Sequence, residues 1–181
     1  MSPPDNAERR RLAERIYAAS HLTGTFTLRS GVVSNEYFDK YLFEAEPDLL
    51  HAIATAMLPL VPAGVDALAW LELGGIPLAT VLSQLTGLAA RFVRKQAKTY
   101  GTCRLAEGGE LDGEHLCIVE DVVTSGGAIL DAAVELRAAG AVLGPVVCVI
   151  DRESGGLDKL AAEGLELRPL FRMSELTAAA S

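Results

Sequence analysis

The sequence predicts an α/β fold, a central and mostly parallel sheet flanked by helices, and three features carry that prediction. From Val65 onward, apolar runs of strand length alternate with segments of helical periodicity. Glycines stand just past the helical segments, where a left-handed stop is needed. The 181 residues are 50% hydrophobic and 22% charged, a balance suited to one core that buries about 70% of the unfolded surface. Strand, helix and next strand connect by right-handed crossovers, which makes the sheet parallel and puts helices on both faces.

Leu12, Ile16 and Ala19 share one face of a helix that begins near Asp5 or Asn6. Thr25 to Leu28 and Glu36 to Phe43 are rich in aromatic and β-branched residues, and Ser30-Gly31 lies between them, as in a hairpin or a pair of short strands. Pro47, at a first-turn position, opens a second helix with Leu50, Ile53 and Met57. Val65 to Leu71 is a buried strand, Ile76 to Leu85 a helix ended by Gly87, and Ala90 to Val93 and Leu116 to Val119 two further strands. Gly127 to Ala139 carries Ile129, Ala133 and Leu136 at helical spacing before Gly140, and Val146 to Ile150 forms another apolar strand. With no internal repeat, one domain over 1–181 is expected, with Pro3, Pro4 and Ala178 to Ser181 fraying at its ends.

Composition removes several function classes. Twenty-four acids against 16 bases give a net charge of -8, so a general basic footprint for a nucleic-acid backbone is missing. The longest apolar run, Ala138 to Ile150, is broken by Gly140, Gly144 and Pro145 and falls short of the roughly 20 residues of a membrane-spanning helix. The first residues lack an apolar stretch with a cleavage site. Cys103, Cys117 and Cys148 match neither a disulfide framework nor zinc-ligand spacing. A soluble protein of a reducing cytoplasm is expected.

Ligands of such sheets bind beyond the carboxyl ends of the strands, and the unusual chemistry of this chain is concentrated there. Glu120 and Asp121 close one apolar strand, and Thr124, Ser125, Gly126 and Gly127 lead from it into a helix. A helix start offers free amide donors, the hydroxyls add more, and glycines let a phosphate approach the backbone. Thr124 or Ser125 alone would as readily be a helix cap. Two neighbouring carboxylates in a structural role would need cations, whereas sugar hydroxyls donate to them naturally. Strict alternation would send the acids to opposite faces, so a turn at this point is expected if both reach one ligand. After the strand at Ala90 to Val93, the segment Arg94 to Arg104 holds four cations and no acid. Such a cluster is either a solvated loop or an anion site.

The stretch IVEDVVTSGG, Ile118 to Gly127, resembles the signature of type I phosphoribosyltransferases. The resemblance implies that Glu120 and Asp121 bind the ribose hydroxyls of phosphoribosyl pyrophosphate, the sugar donor, and that Thr124, Ser125, Gly126 and Gly127 hold its 5-phosphate. RKQAKTYGTC, from Arg94, is similar to the mobile catalytic loop of orotate phosphoribosyltransferases, with Arg94, Lys95 and Lys98 at the matching cations. These are implied to contact the donor, with Lys95, Lys98 and Asp121 the catalytic residues. Fixed cations there would stabilise the departing diphosphate, and a closing loop on Gly101, Gly108 and Gly109 would exclude water. FTLRSGVVSNEYFDKY, Phe26 to Tyr41, resembles the amino-terminal segment of the same family, which places Arg29, Tyr37 and Phe38 around the planar base. Neighbours in a strand face opposite ways, so one of Tyr37 and Phe38 belongs to the core, and Phe38 is the slightly favoured pocket residue. Arg152, after the strand ending at Ile150, matches the arginine that grips the orotate carboxylate. Alone, Asp151-Arg152 reads equally as a surface ion pair. Thr124 also borders the base, and Gly74 and Gly75 match a loop whose backbone approaches the pyrophosphate.

The chain departs from the family pattern at three positions. Arg29 stands where lysine is common, Tyr100 where histidine often sits, and Gly74 where a lysine often reaches the pyrophosphate. Tyr100, with an ordinary pKa of about 10, cannot replace an imidazole acid near neutrality. The resemblance further implies Mg2+ carried mainly by diphosphate and ribose oxygens and by water, with few or no direct protein ligands. It implies a homodimer in which the Arg94–Gly113 loop crosses the interface, and a hood formed by about residues 1–45 with the carboxyl-terminal end. Competing readings are transfer to a purine or uracil and a regulator that senses the donor and binds nucleic acid. The acidic balance counts against the regulator.

Overall fold

The structure, a computed structural model, describes residues 6–27, 31–72, 74–94 and 105–181. Helix α1 (Asn6–Ser20) runs into an antiparallel pair, β1 (His21–Thr27) and β2 (Val33–Phe38), followed by α2 (Lys40–Ala45) and α3 (Pro47–Met57). The remainder alternates as β3 (Ala67–Leu71), α4 (Ile76–Thr86), β4 (Ala89–Val93), β5 (Ala106–Glu107), β6 (His115–Val123), α5 (Gly127–Ala138), β7 (Val142–Asp151), α6 (Gly156–Ala162), β8 (Leu167–Arg172) and α7 (Met173–Ala179). The main sheet has the order β5-β4-β3-β6-β7-β8 and is parallel except for β5, which runs against β4. The expected α/β architecture is therefore the observed one.

Every residue of β3 is buried, which explains its continuous apolar run: both sheet faces are covered. On one face Leu68, Trp70, Val119 and Val147 pack with Ile16, Ile53 and Leu78 of the helices. On the other, Leu116, Ile118, Val146 and Cys148 meet Ile129, Ala133 and Leu136 of α5 and Leu160 of α6. Gly87 ends α4 with φ 74°, the left-handed conformation that glycine adopts without strain.

Several elements differ from the sequence reading. The expected strand to Phe43 stops at Phe38, because the Asp39 side chain accepts a hydrogen bond from the Tyr41 N–H at 3.0 Å and caps a helix. Strand β6 continues past its acids to Val123, held by β7 in the pairs Glu120 with Cys148 and Val122 with Ile150, and its alternation changes phase across the acids: Val119 and Val122 face one core, Ile118 and Val123 the other. Strand β7 starts at Val142, and a register irregularity between Leu116 and Ile118 accommodates the Gly144-Pro145 step. Strands β5 and β8 and helices α6 and α7 carry no assignment in the sequence reading. Pro169 lies in β8, which forms an edge of the sheet, the place where a missing N–H is tolerated. Ala178 and Ala179, expected to fray, belong to α7.

Candidate active site

The loop after β6 is built to receive an anion. Gly126 is the N-cap of α5 with φ 75°, and no side chain caps the helix. Thr124 and Ser125 are exposed, so neither hydroxyl is consumed in the capping role that each could have taken, and the first amides of α5 face outward with the positive end of the helix. Gly156 braces the loop from behind: a Cβ there would lie 2.5 Å from the Thr124 carbonyl oxygen.

The two acids before this loop differ sharply. Asp121 is fully buried. Its Oδ1 accepts the Val122 N–H at 2.5 Å, and its Oδ2 lies 2.5 Å from Nζ of Lys40. Because the alternation of β6 changes phase across the acids, both stand by one cluster: Asp121 pairs with Lys40, and the Asp121 and Lys40 charges both act on Glu120. Lys40 and Glu44 come from α2, four residues apart and so on one helix face. Glu44 is 5% exposed, and among the described residues no donor reaches either of its carboxyl oxygens. Burial, reinforced by the Asp121 charge and opposed by Lys40, pushes the Glu44 carboxyl up to about 8. Glu120 is raised to about 8 by burial and then by Asp121, against Lys40. Burial works against the Lys40 charge, but the bond to Asp121 and the surrounding anions outweigh it and raise its pKa. At neutral pH the cluster therefore holds protonated Glu44 beside a Lys40–Asp121 ion pair, and the Glu44 proton is available for donation to Asp121.

Lys40 and Glu44 are the residues that the sequence reading missed. A strand through Phe43 would have held them about 13 Å apart, whereas one turn of α2 brings them side by side. The helix signal was available in Asp39, a good cap residue directly before Lys40-Tyr41-Leu42-Phe43-Glu44.

Gly74 and Gly75 are buried at the end of β3, beside these acids. A Cβ on Gly75 would lie 3.1 Å from the Val119 carbonyl oxygen, so this turn rests directly on β6. Arg94 is half-buried, with Nε 3.7 Å from Oε1 of Glu107, and it borders a cleft of about 270 Å³ shared with Trp70, Glu72 and Phe92. Gly108 and Gly109, expected as loop hinges, are packing glycines: a Cβ on Gly108 would lie 2.5 Å from the Ala90 carbonyl oxygen, and one on Gly109 would lie 2.6 Å from the Arg91 guanidinium. Arg91 donates to the Gly108 carbonyl at 2.8 Å and to both carboxyl oxygens of Glu114. The returning half of the Arg94–Gly113 segment is thereby fastened to β4. Arg29, Lys95, Lys98, Tyr100, Gly101 and Cys103 lie outside the described residues.

Phe38 is half-buried against the core and faces Tyr17, with ring centroids 6.5 Å apart. Tyr37 is 41% exposed and stands 5.5 Å from Phe26. Phe38, the slightly favoured pocket residue, thus packs on the core instead, and Tyr37 presents its ring outward. Arg152 is exposed, and its N–H donates to the Val123 carbonyl at 2.8 Å, which keeps it at the strand end next to the loop after β6. Asp151 is buried and accepts the Glu153 N–H at 2.9 Å, so it braces this loop. Glu153 takes a left-handed φ of 55°, and its carboxylate accepts the N–H and hydroxyl of Ser174.

A parallel sheet whose central strand carries paired acids and then opens through a glycine turn into an uncapped helix defines the class: an α/β domain with an anion-receiving loop beyond the carboxyl end of its sheet. The comparisons narrow it. Over 93% of its length the chain is 55% identical to orotate phosphoribosyltransferase of Nocardioides sp., covering 94% of that protein. The enzyme of the same description from Mycobacterium tuberculosis, in complex with Fe(III) dicitrate, superposes with a TM-score of 0.83 at 31% identity, covering 93% of this chain and 98% of that one. Its complex with phosphoribosyl pyrophosphate gives a TM-score of 0.79 at 28% identity, with coverage of 94% and 99%. No protein-family model matches the chain. The chain belongs to the orotate phosphoribosyltransferase family.

Proposed function

We propose that the chain transfers the phosphoribosyl group from phosphoribosyl pyrophosphate to orotate, releasing orotidine monophosphate and diphosphate in pyrimidine (UMP) biosynthesis. The observation that carries this reading is the acid pair at the end of β6, Asp121 buried and Glu120 half-buried, followed by an uncapped, glycine-opened helix start on a chain of this family. The 5-phosphate sits on Thr124 to Gly127, and the ribose hydroxyls meet Glu120 and Asp121. The backbone at Gly74 and Gly75 comes close to the diphosphate. Arg152 takes the orotate carboxylate with two parallel bonds, a contact that uracil cannot make. Tyr37 and Arg29 border the base, within a hood made from the first 45 or so residues and α7.

Bond breaking leaves positive character on the sugar carbon and gathers charge on the departing diphosphate. Arg94, Lys95 and Lys98 stabilise that charge, and losing one such contact costs about 2.7–4 kcal/mol of barrier. Mg2+ neutralises the diphosphate when bound. Asp121 is already paired with Lys40, and burial favours the protonated forms of Glu120 and Glu44, so the ion is carried on donor oxygens and water. The active unit is a cytoplasmic homodimer in which the Arg94–Gly113 segment reaches the partner's site.

The test is diphosphate release with phosphoribosyl pyrophosphate, Mg2+ and each of orotate, uracil and the purine bases. Orotate alone should turn over. Arg152→Ala should raise the KM for orotate far more than that for the donor, and an equal rise in both would remove the assigned role. Mixed Lys98→Ala and Asp121→Asn subunits should regain activity through the hybrid site. Hybrids that form without recovery would refute loop action across the interface.

A further inference from the structure

Lys40 has no role in the reading above, yet it is the cation nearest to the acid pair among the described residues. Its partner, Asp121, is fully buried, while Lys40 keeps 33% of its side chain exposed. The ammonium thus stands between Asp121 and the outside, and nothing can bond Oδ2 unless Lys40 moves or shares it. A second observation concerns Gly74. A Cβ there would lie 1.9 Å from Asp121 Oδ2 and 2.5 Å from Lys40 Nζ, so the missing side chain is what admits the ion pair. Lys40 is aimed from the first residue of α2, a position fixed by the Asp39 cap and by the Asp39 N–H on the Ser20 carbonyl at 2.9 Å.

We propose that Lys40 is a substrate-contacting cation: it neutralises Asp121 in the empty site, yields that carboxylate to the ribose hydroxyls, and then binds the donor's diphosphate. This deepens the function proposed above and rests on its donor orientation. With the 5-phosphate at the start of α5 and the hydroxyls on the acids, the sugar carbon bearing the diphosphate points away from α5. It points toward the Gly74-Gly75 turn of the neighbouring strand β3, where the ammonium stands. The exchange keeps each charge paired. Asp121 passes from an ammonium to hydroxyl donors, and Lys40 passes from one carboxylate to a stronger polyanion.

The test is calorimetric binding of three probes in magnesium buffer: phosphoribosyl pyrophosphate, inorganic diphosphate and ribose 5-phosphate, for wild type, Lys40→Arg and Lys40→Met. Lys40→Met should weaken the first two by about tenfold to a hundredfold and leave ribose 5-phosphate nearly unchanged. Lys40→Arg should keep most of the affinity. Because Lys40→Met leaves Asp121 without its cation, Asp121→Asn is compared with Asp121→Asn/Lys40→Met. The second change should again remove diphosphate affinity. Equal losses for all three probes, or no loss for diphosphate in either background, would make Lys40 a structural counter-ion and overturn the proposal. A wild-type protein that binds none of the three probes and releases no diphosphate with any base would instead overturn the function on which it rests.

Discussion

Glu44 is a carboxyl buried beside a carboxylate, and its replacement by glutamine should change how stability depends on pH. Burial and the Asp121 charge hold its pKa at about 8 in the folded chain, against an ordinary value of 4.5. Between those two values the folded protein keeps a proton that the unfolded chain has lost. Stability from this group is therefore fully present below pH 4.5, declines as pH rises, and is spent above pH 8. At about 1.4 kcal/mol per pH unit, the interval sets a ceiling of about 5 kcal/mol. Glu44→Gln cannot titrate, and its amide can still donate to Asp121. Urea unfolding of both proteins from pH 5 to pH 9 should show the variant gaining several kcal/mol relative to wild type over that range. Glu120 contributes a slope of the same sign to both proteins and so largely cancels. A difference between the two that stays constant with pH would refute the protonated, buried Glu44.

Two further changes probe the scaffold around the site. Arg91→Leu leaves Glu114 without its partner in a mostly buried pair and should cost about 3–5 kcal/mol. Urea unfolding measures the loss, and Arg91→Leu/Glu114→Gln should recover part of it. Gly156→Ala places a Cβ 2.5 Å from the Thr124 carbonyl oxygen and 2.9 Å from Val123 Cγ1, which displaces the phosphate loop. A shift of about 1 Å in such a loop should lower kcat/KM for the donor by tenfold to a hundredfold. Steady-state kinetics with each substrate varied in turn check this, and an unchanged donor term would dissociate the loop from phosphate binding.

The parallel sheet and the glycine-opened helix start were legible because both depend on local pattern. Ala67 to Leu71 and Val146 to Ile150 are apolar without interruption because helices cover both faces, and Gly126 and Gly127 mark the opened helix start. The acids were legible as a pair, but their partners were not. Lys40 and Glu44 reach Asp121 only after α2 folds back over the strand ends, a contact across some 80 positions that no window of sequence displays. Strand β8 was hidden by Pro169, which reads as a break until β8 is seen to lie at the rim of the sheet. The glycines at 108 and 109 suggested motion, although their space is filled by Ala90 and Arg91. A missing side chain signals freedom and tight contact alike, and only the tertiary neighbours separate the two.

Glu153 joins two distant parts of the chain. Its backbone follows Arg152 directly, and its carboxylate grips the opening turn of α7. The carboxyl-terminal helix is thereby a lever on Arg152, and under the proposed function a change on α7 that disturbs Ser174 would be felt as altered discrimination between bases rather than as lost hold on the sugar phosphate.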